Sequence, residues 1–173
     1  PGQREVQGIP AIKSLADASQ RPDLVVIVVK PESVIPSLQE AGEAGAKAAI
    51  VVTSGLGEGL SGIDDASREL MAGIRSRYGM RVLGPNCLGV LNMNIGLSAT
   101  FADFSNVPMK AGRVAIVSQS GAVGTSTFRQ CQSEGLPVSC VVTTGNELDL
   151  TAGEVADYIL RMDDIDIVLM FLE

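Results

Sequence analysis

Histidine is absent from all 173 residues, and so is tryptophan. Without an imidazole, a Ser-His-Asp triad, a Cys-His pair and any zinc site using histidine are excluded within this chain. Aromatic residues amount to 3%, so the core must be built from Val, Ile, Leu, Ala and Met. So few rings, with a formal net charge of −7, argue against a nucleic-acid partner, which calls for a basic face and stacking side chains. The cysteines Cys87, Cys131 and Cys140 are odd in number and not closely paired. They read as reduced thiols of a cytoplasmic protein, not as a disulfide framework. No apolar run approaches the roughly 20 residues of a membrane span, and no signal peptide is visible. Neither membrane attachment nor a metal site is expected. The chain opens at Pro1 without a Met and stops at Glu173, directly after the apolar run 167–172. A piece of a longer protein is therefore expected.

What is present is the composition of a globular chain, 46% hydrophobic and 19% charged. Apolar runs at Leu24–Val29, Ala48–Val52, Arg81–Leu83, Val114–Val117, Val138–Val142 and Ile167–Phe171 are mostly continuous rather than alternating. That is the pattern of parallel strands covered on both faces. Helical patterns lie between them. Val34, Leu38, Ala41 and Gly45 share one face. Asp65–Arg77 forms a second helix, with Ser61 or Asp64 near its start. Ala122–Glu134 forms a third, stopped by Gly135. Thr151 and Glu154 make a capping-box pattern before Val155, Ile159 and Met162. Regular alternation of strand and helix predicts an α/β fold with doubly wound parallel sheet. The stretch from Leu91 to Gly112, rich in Asn, Gly and Pro, breaks the rhythm and reads as a linker or functional loop between two units. The boundary is placed near Met109, giving units 1–109 and 110–173.

Ligands of such sheets bind at the carboxyl ends of strands, and several turns there carry suitable groups. Ser118-Gln119-Ser120-Gly121-Ala122 runs from a strand into a helix, and its free N–H groups and hydroxyls suit a phosphate or oxyanion. The alternative is that Ser120 only caps the helix. Gly84-Pro85-Asn86-Cys87-Leu88-Gly89 fixes a rigid turn in which Asn86 offers both a donor and an acceptor. No base near Cys87 suggests a nucleophile, so packing or ligand lining is the expected role. Lys30, in Val29-Lys30-Pro31, faces either a phosphate or solvent. The glycines of the loop 53–59 admit close backbone approach, or mark a surface loop. Gly145-Asn146-Glu147-Leu148-Asp149 reads by default as a structural turn, and Glu173 alone as any exposed carboxylate.

Taken in order, GPNCLG at 84–89, SQSGA at 118–122 and GNELD at 145–149 resemble the NDP-forming acyl-CoA synthetases, the group of the ADP-forming acetyl-CoA synthetases and the succinyl-CoA synthetase α subunit. The resemblance spans nearly the whole chain. It implies a Rossmann-like CoA-binding domain over 1–109, missing its first βα unit, and part of a flavodoxin-like ligase domain over 110–173. In that family an acid, CoA and ATP give an acyl-CoA through an acyl phosphate and a phosphohistidine. By resemblance, Val29, Lys30, Pro31, Ser54, Gly55, Asn86 and Cys87 line the coenzyme A site. Ser118, Ser120, Gly121 and Ala122 hold the phosphate, and Glu173 is the catalytic residue that orients the phosphorylated histidine. ATP and Mg²⁺ would be bound by an ATP-grasp subunit or fused domain outside this chain. With no His, the chain alone is expected to be inactive, and an uncovered sheet edge favours an oligomer. A non-catalytic CoA-binding regulatory module, as in some acetyltransferases, stays open as the alternative. A nicotinamide-dependent oxidoreductase is disfavoured because no GxGxxG follows a strand.

Overall fold

The computed structural model describes residues 4–56, 65–107 and 109–173, and the backbone of 58–59 and 62–63. Ser61 and Asp64, expected near the start of the second helix, and Gly57 of the glycine loop lie outside the described residues. In chain order the elements are β1 (Glu5–Val6), β2 (Ile9–Pro10), β3 (Leu24–Ile27), α1 (Pro31–Glu43), β4 (Ala48–Val51), β5 (Glu58–Gly59), β6 (Gly62–Ile63), α2 (Asp65–Tyr78) and β7 (Arg81–Leu83). There follow β8 (Gly89–Asn92), β9 (Leu97–Thr100), β10 (Val114–Ser118), α3 (Gly121–Ser133), β11 (Val138–Thr143), α4 (Ala152–Ile159) and β12 (Ile167–Phe171).

Two sheets organise the chain. The first is parallel, in the order β3-β4-β7. The second runs β12-β10-β11-β8-β9; its first three strands are parallel, β8 is antiparallel to β11 and β9 antiparallel to β8. The period of two along each strand decides what it packs against. Ala49, Val51 and Val82 face α1 and α2 through Val34, Leu38, Ala41, Met71 and Ile74. Ile50 and Leu83 point the other way, into a core shared with Ala115, Val117, Cys140 and Val142 of the second sheet and with Ala156 and Ile159 of α4. Val114, Ile116, Val138 and Val141 turn to the far side, with Phe128 of α3. Strands covered on both faces thus account for the continuous apolar runs.

Two expectations need correction. The stretch from Leu91 to Gly112 is not a linker throughout, because it carries the end of β8 and all of β9. Asn92 pairs with Cys140 and Gly89 with Thr143, so this hairpin extends the second sheet and makes it mixed rather than wholly parallel. Asn94 and Gly96, two of the residues that suggested a linker, lie in the hairpin turn. Secondly, not every predicted strand is buried. Val26 and Val28 on the β3 side, and Ile167 and Met170 of β12, are exposed. Val26, Ile167 and Met170 belong to the outer strands of their sheets, which have a neighbour on one side only among the described residues, and Val28 lies just past the end of β3. The run Leu24–Val29 also ends as a strand at Ile27. Near the start of the described chain lies the segment Glu5-Val6-Gln7-Gly8. It is half of a small hairpin, whose turn residues Gln7 and Gly8 have φ of 51° and 81°, the turn geometry that suits a two-residue loop.

The GNELD segment has a position for each side chain. Leu148 joins the first core. The Glu147 carboxylate accepts from Ala152 N at 2.8 Å and from the Thr144 hydroxyl at 2.7 Å, which satisfies an open amide at the start of α4. Thr151 and Glu154 complete the predicted capping box of the same helix. Asp149, whose side chain is buried, accepts from Val82 N at 2.7 Å and from Arg81 Nε at 3.0 Å, pinning the loop to β7. Gly145 has φ 61°, and a Cβ there would overlap the carbonyl oxygens of Pro85 and Asn86. Gly145→Ala is expected to lower stability by about 2 kcal/mol or more, from left-handed strain plus backbone collision. A shift in the urea midpoint at unchanged slope would measure it, and an unchanged midpoint would refute the close crossing.

Candidate functional site

Parallel strands deliver their carboxyl ends to one side of each sheet, and here the two sets of ends meet. After β7 the chain turns through Gly84 and Pro85, joined by a cis peptide bond, to Asn86, whose φ is 58°. Gly84 lies so close to Val51 that any Cβ would overlap its carbonyl oxygen. Asn86 N donates to Thr53 O at 2.9 Å, tying the turn to the loop after β4. From the other sheet, Asn146 N donates to Pro85 O at 2.9 Å and Leu148 N to Gly84 O at 3.2 Å. Asn86 Nδ2 also donates to Asn146 Oδ1 at 3.2 Å. Two residues further on, Leu88 N donates to the Thr143 hydroxyl at 2.8 Å.

These ties frame a cavity of about 470 Å³. Its walls are Val52, the turn 86–88, Phe101, the segment 119–122, Gly145, Asn146 and Glu173. The start of α3 forms the floor. Ser120 is its N-cap, with Oγ accepting from Val123 N at 3.4 Å, while Gly124 N bonds to Ser120 O. The amides of Gly121 and Ala122 therefore stand at the open first turn of a 13-residue helix, at the positive end of its dipole. Gln119 spans the opposite corner: its N donates to Phe171 O at 3.0 Å, and its Oε1 accepts from Glu173 N at 2.6 Å. No Lys or Arg lines the cavity among the described residues, and Glu173 is its one carboxylate. Attraction for an anion here comes from backbone N–H groups rather than from side-chain cations.

Of the residues singled out by sequence, Asn86, Cys87, Ser120, Gly121, Ala122 and Glu173 border this one cavity. Ser118 does not. It is fully buried, its hydroxyl donates to Ser120 O at 2.7 Å, and it shapes the turn from beneath. Cys87 borders the cavity, but its thiol donates to Val51 O at 3.4 Å and burial pushes its pKa up to about 11. A thiol held protonated is a poor nucleophile. Val29, Lys30, Pro31, Ser54 and Gly55 form a neighbouring exposed rim at the ends of β3 and β4. The Thr53 hydroxyl donates to Val29 O at 2.7 Å, and Gly55 lies beside the Pro31 ring. Lys30 is the N-cap residue of α1 and makes no side-chain cap. Sequence reasoning left out Val52, Leu88, Gln119 and Phe101, and read Gly145 and Asn146 as structural only. Gln119 sat inside a quoted motif, while Phe101 was hidden in the stretch taken for a linker.

Residues 1–93 match the CoA binding domain family. The chain belongs to that family. Residues 111–173 match a second one, the succinyl-CoA ligase like flavodoxin domain. The chain is 38% identical over its whole length to an ADP-forming acetate–CoA ligase of Methanocaldococcus jannaschii, covering 24% of that protein. It is 34% identical, over 99% of its length, to the α subunit of ADP-forming acetate–CoA ligase II of Pyrococcus furiosus, covering 36% of it. The structure superposes on the apo dinucleotide-forming acetyl-coenzyme A synthetase 1 of Ca. Korarchaeum cryptofilum with a TM-score of 0.89 at 33% identity, over all of this chain and 36% of that one. The same synthetase in complex with phosphate and ADP gives a TM-score of 0.88. The chain thus spans about a quarter to a third of the length of the relatives it matches. These relatives, with an ADP-forming 4-hydroxybutyrate–CoA ligase of Nitrosopumilus maritimus at 34% identity over 94% of this chain and 23% of that protein, are named as ADP-forming acid–CoA ligases. No described helix is long and apolar enough to cross a membrane.

The thiols supply a direct check on the site. Burial raises Cys87 and Cys140 alike to about 11, whereas Cys131 is only partly buried. At pH 8 each buried thiol is ionised to only ~10⁻³. Iodoacetamide at that pH is expected to add one label, at Cys131, to the native chain and three in urea, counted by intact mass. Rapid labelling of Cys87 in the native chain would contradict its placement.

Proposed function

We propose that this chain supplies the CoA-binding rim and the phosphate cradle of an NDP-forming acid–CoA ligase. The observation that carries the reading is the single cavity that joins the Asn86 turn, the start of α3 and Glu173. A phosphoryl or acyl-phosphate group suits the Gly121 and Ala122 amides and the Ser120 hydroxyl, and no side-chain cation is needed to hold it. Coenzyme A suits the adjoining rim. There the backbone at Val29–Pro31 and Ser54–Gly55 is exposed beside Lys30, and the Thr53–Asn86 bond joins rim to cavity. The thiol end of CoA would then reach the Asn86 turn from the rim. Asn86 and Cys87 would border it, Cys87 as packing rather than as a nucleophile.

On this reading the acid's carboxylate takes the phosphoryl group from the phosphohistidine at the α3 N-terminus, and the CoA thiol then attacks the acyl carbon, forming the thioester as the C–O bond breaks and inorganic phosphate leaves. Positioning and fixed dipoles carry most of the catalysis. The phosphorylated histidine must come from outside this chain, which has none. Glu173, at the cavity edge and anchored through its amide by Gln119, would accept from that ring's other nitrogen and fix its tautomer. ATP and Mg²⁺ would be bound by an ATP-grasp subunit or fused domain, and the three unpaired thiols suit a cytoplasmic setting. The domain division near residue 109 belongs to the same proposal.

The test is phosphoryl transfer in the ligase that contains this chain. With γ-³²P-ATP and Mg²⁺ we expect acid-labile, base-stable label on protein, cut at least tenfold by Glu173→Gln. A folded, CoA-binding protein that takes up no label would refute the ligase reading.

A further inference from the structure

Phe101 is 68% exposed, yet it is one of only four phenylalanines in the chain and stands at the rim of the cavity. Large rings are ordinarily withdrawn from water, and nothing in the local backbone suggests a frayed loop. Phe101 N donates to Leu88 O at 2.8 Å, the Thr100 hydroxyl donates to the same oxygen at 2.7 Å, and Ala102 N donates to the Thr100 hydroxyl at 3.1 Å. The ring is thus carried on a fixed segment at the end of β9. Leu88, to which it is tied, also lines the cavity and lies against the start of α3. A Cβ on Gly121 would come within 2.6 Å of Leu88 Cγ. The cavity therefore has a polar side, with Asn86, Asn146, Gln119 and Glu173, and an apolar side that runs from Gly121 past Leu88 to Phe101.

We propose that Phe101, backed by Leu88, is the side chain that limits the size of the acid's tail. The inference rests on the ligase reading. If the carboxyl group of the acid is held at the α3 N-terminus, its first carbons meet Leu88 and the next meet the Phe101 ring. The same wall favours an uncharged tail, because no cation lines the cavity among the described residues to meet a second carboxylate. Apolar pockets discriminate by roughly 10- to 200-fold per methylene, through packing. A ring at the end of the path can exclude branched or aromatic tails by overlap.

The experiment compares kcat/KM for acetate, butyrate and phenylacetate, by acid-dependent ADP release, in the ligase containing this chain and in its Phe101→Ala, Phe101→Leu and Phe101→Trp forms. Phe101→Ala is expected to raise the phenylacetate-to-acetate ratio about tenfold or more. Leu should fall between, Trp should shift the ratio the other way, and KM for CoA and ATP should stay unchanged. If Phe101→Ala does not fold, Leu and Trp carry the comparison. A ratio constant within twofold across the variants overturns the role of Phe101 and leaves the ligase reading standing. A change confined to KM for ATP also overturns it and places the ring against the nucleotide-binding part. No acid-dependent ADP release from the unaltered protein removes both readings together.

Discussion

The structure depends on one crossing of two backbones. The turn at Gly84–Asn86, from the first sheet, and the turn at Gly145–Asn146, from the second, approach so closely that a Cβ on Gly145 has no room. Asn146 N to Pro85 O and Leu148 N to Gly84 O close the crossing, and the buried Asp149 carboxylate on Val82 N extends it along β7. Strand ends on separate sheets would otherwise be free to slide. Because amides and carbonyls bury each other here, a shift would leave them unpaired, at a cost of roughly 1–3 kcal/mol each. The shared apolar core behind the crossing gives adhesion without direction, whereas the hydrogen bonds fix the register.

That crossing explains why so much of the motif chemistry is structural. Ser118, Glu147 and Asp149 are polar residues in recognisable patterns, yet each spends its side chain on a backbone group or a neighbouring element. Cys87 is withdrawn in the same way. The polar groups that remain at the cavity are a first helical turn, three amide side chains, a hydroxyl and a carboxylate, beside the apolar Val52, Leu88 and Phe101. Rigid support beneath a small set of groups is what positioning catalysis requires, since displacement of the reacting atoms by about 1 Å can cost about a hundredfold in rate.

Much of this was legible in the sequence, for physical reasons that differ by element. Strands β10 and β11 could be read because both faces are buried, and a continuous apolar run has no competing explanation once helices flank it. Helix α4 could be read from its capping box, a local interaction that needs no tertiary partner. The hairpin β8–β9 was missed because Gly-Val-Leu-Asn and Leu-Ser-Ala-Thr are short and weakly patterned, and their strand character comes from pairing with β11. Missing the hairpin hid Phe101 as a cavity wall. The placement of Ser118 beneath the site, rather than in it, was equally out of reach. Adjacent residues of a strand point to opposite sides, and which one faces the ligand is set by sheet register.

On the proposed reading a chain of net charge −7 serves a phosphate, and the electrostatics of the cavity bear on how. An Arg or Lys cluster would bind the anion tightly in every state, and uniform binding does not speed a chemical step. Helix-terminal amides act over a short range and in a fixed direction. They favour negative charge at one spot near Gly121 without attracting anions across the whole acidic surface. On the proposed reading, the phosphoryl group must arrive, react with an acid and leave within each turnover. A cradle made of backbone dipoles with a carboxylate at its edge, rather than of side-chain cations, holds such a group firmly enough to orient it and loosely enough to release it.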